Sequence, residues 1–404
     1  MITNIEINHY RSIWHADLAL HPINLIVGAN GSGKSNVVDA IYFLHDCCVN
    51  DIETALTRRH GIDSVRQWSK SKPYHIAIEL AFQNEDGEGK YKLVLSSYKG
   101  DHRVLEETGQ WSGIHPYYRY RAHDESDIDT ERGTSYFSRN SEGVVKVHTT
   151  FTDTEIAETS NISTDDLYLT ALSGHFYNET FALFQGISQE LTSFSLYSIY
   201  PNTLRLPQVI SRERSLMESG GNLASVLKSM NSKTFGRNRS DIVAGVRALM
   251  PSAEDYRINS AGGFYVPTIR VREPTGDAHE FGLSQISDGT LRALGILTAL
   301  YQPRAPNKIA MEEPEQMIHP GALVVIAEAI KDFASPKGRP VGGRQIFVTT
   351  HSPHLIDLFE PETLIWTRKV DGLTQAGHVS DRQLGLIKDS LFTAGELMLS
   401  EGIF

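Results

Sequence analysis

The chain has 404 residues, 40% of them hydrophobic and 22% charged, with a net charge of −11. This is ordinary globular composition and excludes a fibrous or disordered chain. Residues 1–11 place Ile2, Ile5 and Ile7 in alternation with one late basic residue, and no apolar run approaches the ~20 residues that cross a bilayer, so a cytoplasmic location without a membrane partner is expected.

The acidic balance argues against a protein coated in nucleic acid but leaves a local basic patch open. The only cysteines, Cys47 and Cys48, are adjacent. They lack the spacing of a zinc site or a disulfide framework and read as buried helical thiols.

Pro22 to Val27 reads as a buried strand and Lys34 to Leu44 as a helix. Between them lies Gly28-Ala29-Asn30-Gly31-Ser32-Gly33-Lys34-Ser35. This is a G-x-x-x-x-G-K-S loop in its required strand–loop–helix context. Its glycines let backbone N–H groups converge on phosphate oxygens, and the helix N-terminus adds partial positive charge. Lys34 is expected to reach the β- and γ-phosphates, and the Ser35 hydroxyl to ligate Mg²⁺.

Downstream, Tyr74 to Phe82 and Tyr91 to Tyr98 read as hairpin strands joined through Asn84-Glu85-Asp86-Gly87. An acidic stretch from Asp124 to Glu131 reads as a solvated insertion. Helical patterns follow over 178–193 and 222–250. No sustained a/d heptads occur within 100–280, which argues against a coiled-coil arm. Within 205–247, Arg205, Arg212, Arg214, Lys228, Lys233, Arg237, Arg239 and Arg247 outnumber Glu213, Glu218 and Asp241. Such an excess can track DNA phosphates, or form a solvated face or a protein-docking surface.

Three motifs lie near the C-terminal end. Ser287-Asp288-Gly289-Thr290 precedes an apolar helix from Leu291 to Tyr301, and Ser287 and Gly289 can serve as an anion-binding helix end as well as an ordinary N-cap. Ile309 to Met311 form a short apolar strand delivering Glu312-Glu313-Pro314-Glu315 to its carboxyl end, where ligands sit in open α/β sheets. Glu312 is placed to hold Mg²⁺ and Glu313 to polarise an attacking water. Gln345 to Thr350 read as a buried strand ending in His351, which can meet a γ-phosphate or serve structurally. A zinc pair with His354 lacks further ligands at metal spacing.

In this order the motifs resemble ABC-type ATPases, and more specifically the branch related to RecF, SMC proteins and the ATPase half of the OLD family. Tyr10-Arg11-Ser12, the loop ending in Asn36, the S-D-G-T signature, and Glu-Glu-Pro-Glu followed by His319-Pro320 carry the resemblance, over about 1–45 and 280–360.

The resemblance implies a mixed α/β ATPase head flanked by helices, with an inserted α+β lid. It divides the chain into core 1–100, lid 101–280 and core 281–404. It further implies that Arg11 and Ser12 approach ATP, that Ser287 and Gly289 contact ATP held by the opposite subunit of a head-to-head homodimer, and that His351 is the switch histidine. Its Mg²⁺-contacting glutamine is assigned to Gln83, with Gln185 as the alternative.

The stretch after His351 is shorter than the ~100 residues a Toprim nuclease domain needs. The expected function is therefore an ATPase without its own nuclease, switching an effector such as a nuclease, Toprim-like protein or toxin in phage defence. The alternatives are a DNA-repair clamp and a transporter's nucleotide-binding subunit.

Overall fold

A computed structural model describes residues 1–70, 74–98, 100–114, 132–151, 158–173, 179–335 and 343–400. The acidic stretch Asp124–Glu131 lies outside the described residues. In chain order the strands are β1 (Ile2–Tyr10), β2 (Ile13–Ala19), β3 (Ile23–Val27), β4 (Ile76–Gln83), β5 (Gly87–Tyr98), β6 (Asp101–Ile114), β7 (Arg132–Arg139), β8 (Val144–Thr149) and β9 (Glu158–Asn161). They continue with β10 (Phe194–Tyr197), β11 (Gln208–Val209), β12 (Ala253–Ala261), β13 (Phe264–Arg272), β14 (Ala278–Gly282), β15 (Lys308–Glu312), β16 (Gln345–Thr350), β17 (Leu364–Val370) and β18 (Leu373–His378).

One 14-stranded sheet runs in the order β10-β15-β16-β3-β17-β18-β2-β1-β4-β5-β6-β7-β8-β9. Its first five strands, β10 through β17, are parallel, β18 runs antiparallel to β17 and parallel to β2, and from β2 outward to β9 the sheet is antiparallel. The sequence patterns follow that division. The central parallel strands are covered on both faces, so every residue of β16 is buried, including Gln345, Thr349 and Thr350, whereas β4 alternates buried and half-buried positions.

The two faces of the parallel half feed separate cores. Ile26, Ala310 and Phe347 pack with the helix Lys34–Val49, and their neighbours Leu25, Val27, Ile309, Met311, Ile346 and Val348 pack with the helices Asp288–Tyr301 and Leu323–Ala334. This is the period-2 alternation of a strand acting between two helical layers. Cys47 and Cys48 are buried in the first of these helices, and burial pushes both thiols up from their ordinary pKa.

The expected break between a core ending at 100 and a separate lid does not occur in the sheet. Strands β6–β9 continue it outward from β5, and β10 returns to the opposite edge to pair with β15. The part that does stand apart is a small sheet, β11-β13-β12 with β14 on β13, packed with the helices Leu223–Ser229 and Gly236–Leu249. Among the described residues the longest helix is the 16-residue Lys34–Val49, so no coiled-coil arm is present there. No helix of the described residues is long and apolar enough to cross a membrane.

Candidate nucleotide-binding site

The phosphate loop joins β3 to the helix Lys34–Val49, at the carboxyl ends of the parallel strands. Gly33 caps that helix with φ 106°, a conformation that disfavours any side chain, and a Cβ there would also collide with Thr374. A Cβ on Gly28 would collide with the backbone and hydroxyl of Thr367. These two threonines, on β18 and β17, are the loop's brace. Thr374 Oγ1 donates to the carbonyl of Ser32 (2.8 Å) and shares a hydrogen bond with Ser12 (2.7 Å), and Thr367 Oγ1 shares one with the Ser32 hydroxyl (2.7 Å). Asn36 Nδ2 donates to Ser12 Oγ (2.7 Å), so Ser12 is tied to the phosphate-loop helix. Sequence reading missed both threonines, which lie on strands that carry no recognisable motif.

Lys34 is buried, and its ammonium donates to the carbonyls of Gly28 (2.8 Å) and Ala29 (3.1 Å) while standing 3.9 Å from Glu313 Oε1. Burial lowers its pKa, opposed by the charges of Glu313 and Glu315. Asn30, Gly31 and Ser35 are exposed at the mouth of the loop.

Arg11 does not point freely toward this mouth. Its guanidinium pairs with Asp39 (2.8 Å) on the phosphate-loop helix, where Tyr10 Oη donates to the same carboxylate (2.6 Å). Buried Arg59 completes the cluster by bridging Asp39 (2.9 Å) and Asp46 (2.7 Å), residues seven apart on one helix face.

Glu312 ends β15 and Glu313 follows it, and the neighbouring β16 separates β15 from β3. Glu313 adopts φ 44° and its N–H donates to the carbonyl of Thr349 (2.9 Å). Its carboxylate lies 3.3 Å from His351 Nδ1 and accepts a hydrogen bond from Gln316. Glu315 is the buried member of the motif: it accepts from Thr350 Oγ1 (2.6 Å) and the His351 N–H (3.3 Å), and burial raises its pKa. Lys34, Glu313 and His351 thus meet at the ends of three adjacent parallel strands.

The signature residues stand elsewhere. Ser287 Oγ accepts from the N–H of Thr290 and donates to its hydroxyl (2.9 Å), so it caps its own helix. Gly289 lies against the backbone of Met317, which a Cβ would meet at 2.7 Å. Asp288 is held by Arg205 (2.5 Å), which also donates to the carbonyl of Ile286. No hydrogen bond or ion pair among the described residues joins 287–290 to the chain's own phosphate loop.

The assignment of Gln83 to Mg²⁺ is corrected by topology. Gln83 ends β4, which runs antiparallel to β1, and it pairs with Met1 at the opposite end of β1 from Tyr10, Arg11 and Ser12. Gln185 starts a helix packed against β5, β6 and the far part of the phosphate-loop helix, with its neighbour Gly186 on Trp111. Besides Gln316, Gln67 stands at the nucleotide end, buried, donating its N–H to the carbonyl of His9 (2.9 Å), with an Oε1 that has no hydrogen-bond partner among the described residues.

Part of the 205–247 basic excess is internal wiring. Besides Arg205, Arg239 pairs with Asp255 (2.6 Å), Arg247 donates to the carbonyls of Ala253 and Glu254, and Lys228 lies over the Tyr265 ring. Arg212, Arg214, Lys233 and Arg237 are exposed and make no ion pair among the described residues.

A parallel sheet with a phosphate loop, an acidic strand end and a histidine at the neighbouring strand end, extended by antiparallel strands, is the head of an ABC-type ATPase of the RecF/SMC branch. The chain belongs to the family described as "AAA domain, putative AbiEii toxin, Type IV TA system", whose profile matches residues 23–357. It is similar to the DNA replication and repair protein RecF of Porphyromonas gingivalis, 31% identical over 107 residues, covering 26% of each chain. RecF of Salmonella typhimurium is 44% identical over 111 residues, covering 26% of this chain and 29% of the relative. The chain thus matches little more than a quarter of these relatives' length. Among solved structures, an SMC head bound to the C-winged helix domain of ScpA superposes with TM-score 0.51 at 12% identity, covering 95% of this chain and 98% of the other.

Proposed function

We propose that the protein is an ATP-hydrolysing switch: ATP closes a head-to-head homodimer, hydrolysis to ADP and phosphate opens it, and the cycle regulates an effector protein. The observation that carries this reading is the convergence of Lys34, Glu313 and His351 within 4 Å contacts at one strand-end cluster, while among the described residues Ser287 and Gly289 make no hydrogen bond to the chain's own phosphate loop. A site lacking a signature contact in its own subunit is completed by a second copy.

In the reaction Lys34 exchanges the carbonyls of Gly28 and Ala29 for β- and γ-phosphate oxygens. The exposed Ser35 hydroxyl in the first turn of the phosphate-loop helix and the Glu312 carboxylate at the end of β15 are hard oxygen donors that fit Mg²⁺. When bound, Mg²⁺ neutralises charge developing on the phosphates. Gln67 takes the place assigned to Gln83 as the glutamine near this end. Glu313 orients the lytic water, and His351, held beside Glu313, hydrogen-bonds the γ-phosphate.

The family's description, which names a putative toxin and a toxin–antitoxin system, supports a setting in which the switch acts with a toxin or other effector. The identity to RecF and the four free basic residues favour a second reading, a DNA clamp without a dedicated effector.

Phosphate release by the wild type and Lys34→Ala tests the chemistry: turnover in the first and none in the second is expected, and equal rates would reject the assignment. Co-purification of the native operon products in ATP separates the readings. A stable complex with a nuclease or toxin supports the effector role, and a bare dimer that binds DNA salt-sensitively supports the clamp.

A further inference from the structure

The structure assigns Arg292 as a positioning residue that links the signature helix to the backbone of Glu313, so that what Ser287 and Gly289 touch sets the aim of that carboxylate. This rests on the ATPase reading.

Arg292 sits in the second turn of the helix Asp288–Tyr301 and is 2% exposed, yet makes no ion pair among the described residues. Its Nη2 donates to the carbonyls of Glu312 (3.3 Å) and Glu313 (3.0 Å), its Cζ lies 5.2 Å from the Tyr200 ring centre, and Nε and Nη1 have no hydrogen-bond partner among the described residues. The charges facing it from neighbouring segments are those of Glu313 and Glu315, and burial lowers its pKa. A buried guanidinium without a counter-ion is an expensive way to fill space that a methionine would fill better. What it supplies that methionine cannot is the pair of bonds to those carbonyls.

Those bonds act on a strained residue. Glu313 has φ 44°, which L-residues avoid and which persists only where the surroundings over-determine it. Thr349 holds the Glu313 N–H from β16, and Arg292 holds its carbonyl from the opposite side. With both peptide groups fixed, the carboxylate faces His351 and Lys34. The helix that carries Arg292 starts at Ser287. Any movement of that helix end when a partner subunit's nucleotide docks therefore reaches the Glu313 carbonyl through Arg292.

The test compares Arg292→Met and Arg292→Lys with the wild type. In Arg292→Met, kcat for ATP should fall roughly 10- to 100-fold, the cost of a misaimed group, with KM changed less than about twofold and the ATP-dependent dimer retained. Arg292→Lys, whose ammonium can reach both carbonyls, should recover most of the loss. Unchanged kcat in Arg292→Met, or an Arg292→Lys variant as impaired as Arg292→Met, would overturn the assignment. A crystal structure of Arg292→Met, or of Arg292→Lys if the first does not fold, gives a readout independent of turnover. Glu313 should leave the left-handed region in the methionine variant and keep it in the lysine variant; the reverse in either refutes the link, whether or not the wild type hydrolyses ATP. A wild type without turnover would instead reject the ATPase reading alone.

Discussion

The brace under the phosphate loop offers a sharp quantitative test. In Thr374→Val the side chain keeps its shape and loses the hydroxyl that donates to the Ser32 carbonyl (2.8 Å) and shares a proton with Ser12 (2.7 Å). Thr374 is 1% exposed, so water does not replace the lost partner. Leaving a buried carbonyl unpaired costs about 1–3 kcal/mol, and the freed Ser12 adds about 0.5–1.5 kcal/mol. Global stability by denaturant titration should therefore fall by about 2–4 kcal/mol. ATP affinity, measured by calorimetry, should weaken by roughly tenfold, since every 1.4 kcal/mol spent re-forming the loop is tenfold in binding. Thr374→Ser, which keeps the hydroxyl, should retain affinity. A Thr374→Val protein within about 0.5 kcal/mol of wild type and with unchanged affinity would refute the brace, that margin being the scatter of an uninvolved substitution.

Other consequences can be measured alongside. Glu107 is buried and accepts from the N–H groups of Tyr168 and Leu169 and from Tyr91 Oη, yet burial dominates and raises its pKa to about 6. The folded state therefore binds the proton more tightly than the unfolded one. Its stability contribution is fully present below the unfolded value near 4.5 and falls by about 2 kcal/mol as pH rises through and above 6. Glu107→Gln should remove that slope, and an unchanged pH profile would count against it. Arg205→Met, which frees Asp288 and the Ile286 carbonyl, should weaken the ATP-dependent dimer by about 1–2 kcal/mol with monomer ATP affinity unchanged, as read by light scattering and calorimetry. If DNA is bound, replacing Arg212, Arg214, Lys233 and Arg237 with alanine should flatten the salt dependence of its affinity by up to about 4 in log–log slope; an unchanged slope would clear this surface of DNA contact.

What the sequence made legible was contiguous. The phosphate loop, Glu312-Glu313-Pro314-Glu315 and His351 each combine a buried strand with a local motif, and parallel strands deliver their ends to one edge. Their meeting at 3.3 to 3.9 Å is a consequence of that rule. Thr367 and Thr374 were illegible because their role comes from β17 and β18 lying beside β3 and β2, a pairing across more than three hundred positions.

Gln83 was misplaced for a related reason. A glutamine after a strand is recognisable, but which end of the sheet it reaches depends on β4 being antiparallel to β1. The continuation of the sheet past β5 was illegible because a hairpin pattern cannot tell whether its strands extend an existing sheet or start another. The basic excess was a count of charges without their partners, and Arg205 and Arg239 turned out to be bonded to Asp288 and Asp255.

The central claim, that Glu313 drives hydrolysis inside an ATP-closed dimer, is tested most directly by sedimentation of Glu313→Gln beside wild type in Mg²⁺ with ATP and with ADP, with phosphate release followed in the same samples. The account predicts a stable dimer of the variant in ATP, monomer in ADP, and turnover reduced by roughly 100-fold or more, as for removal of an aligned catalytic group. A variant that stays monomeric in ATP, or that turns over at the wild-type rate, would contradict it.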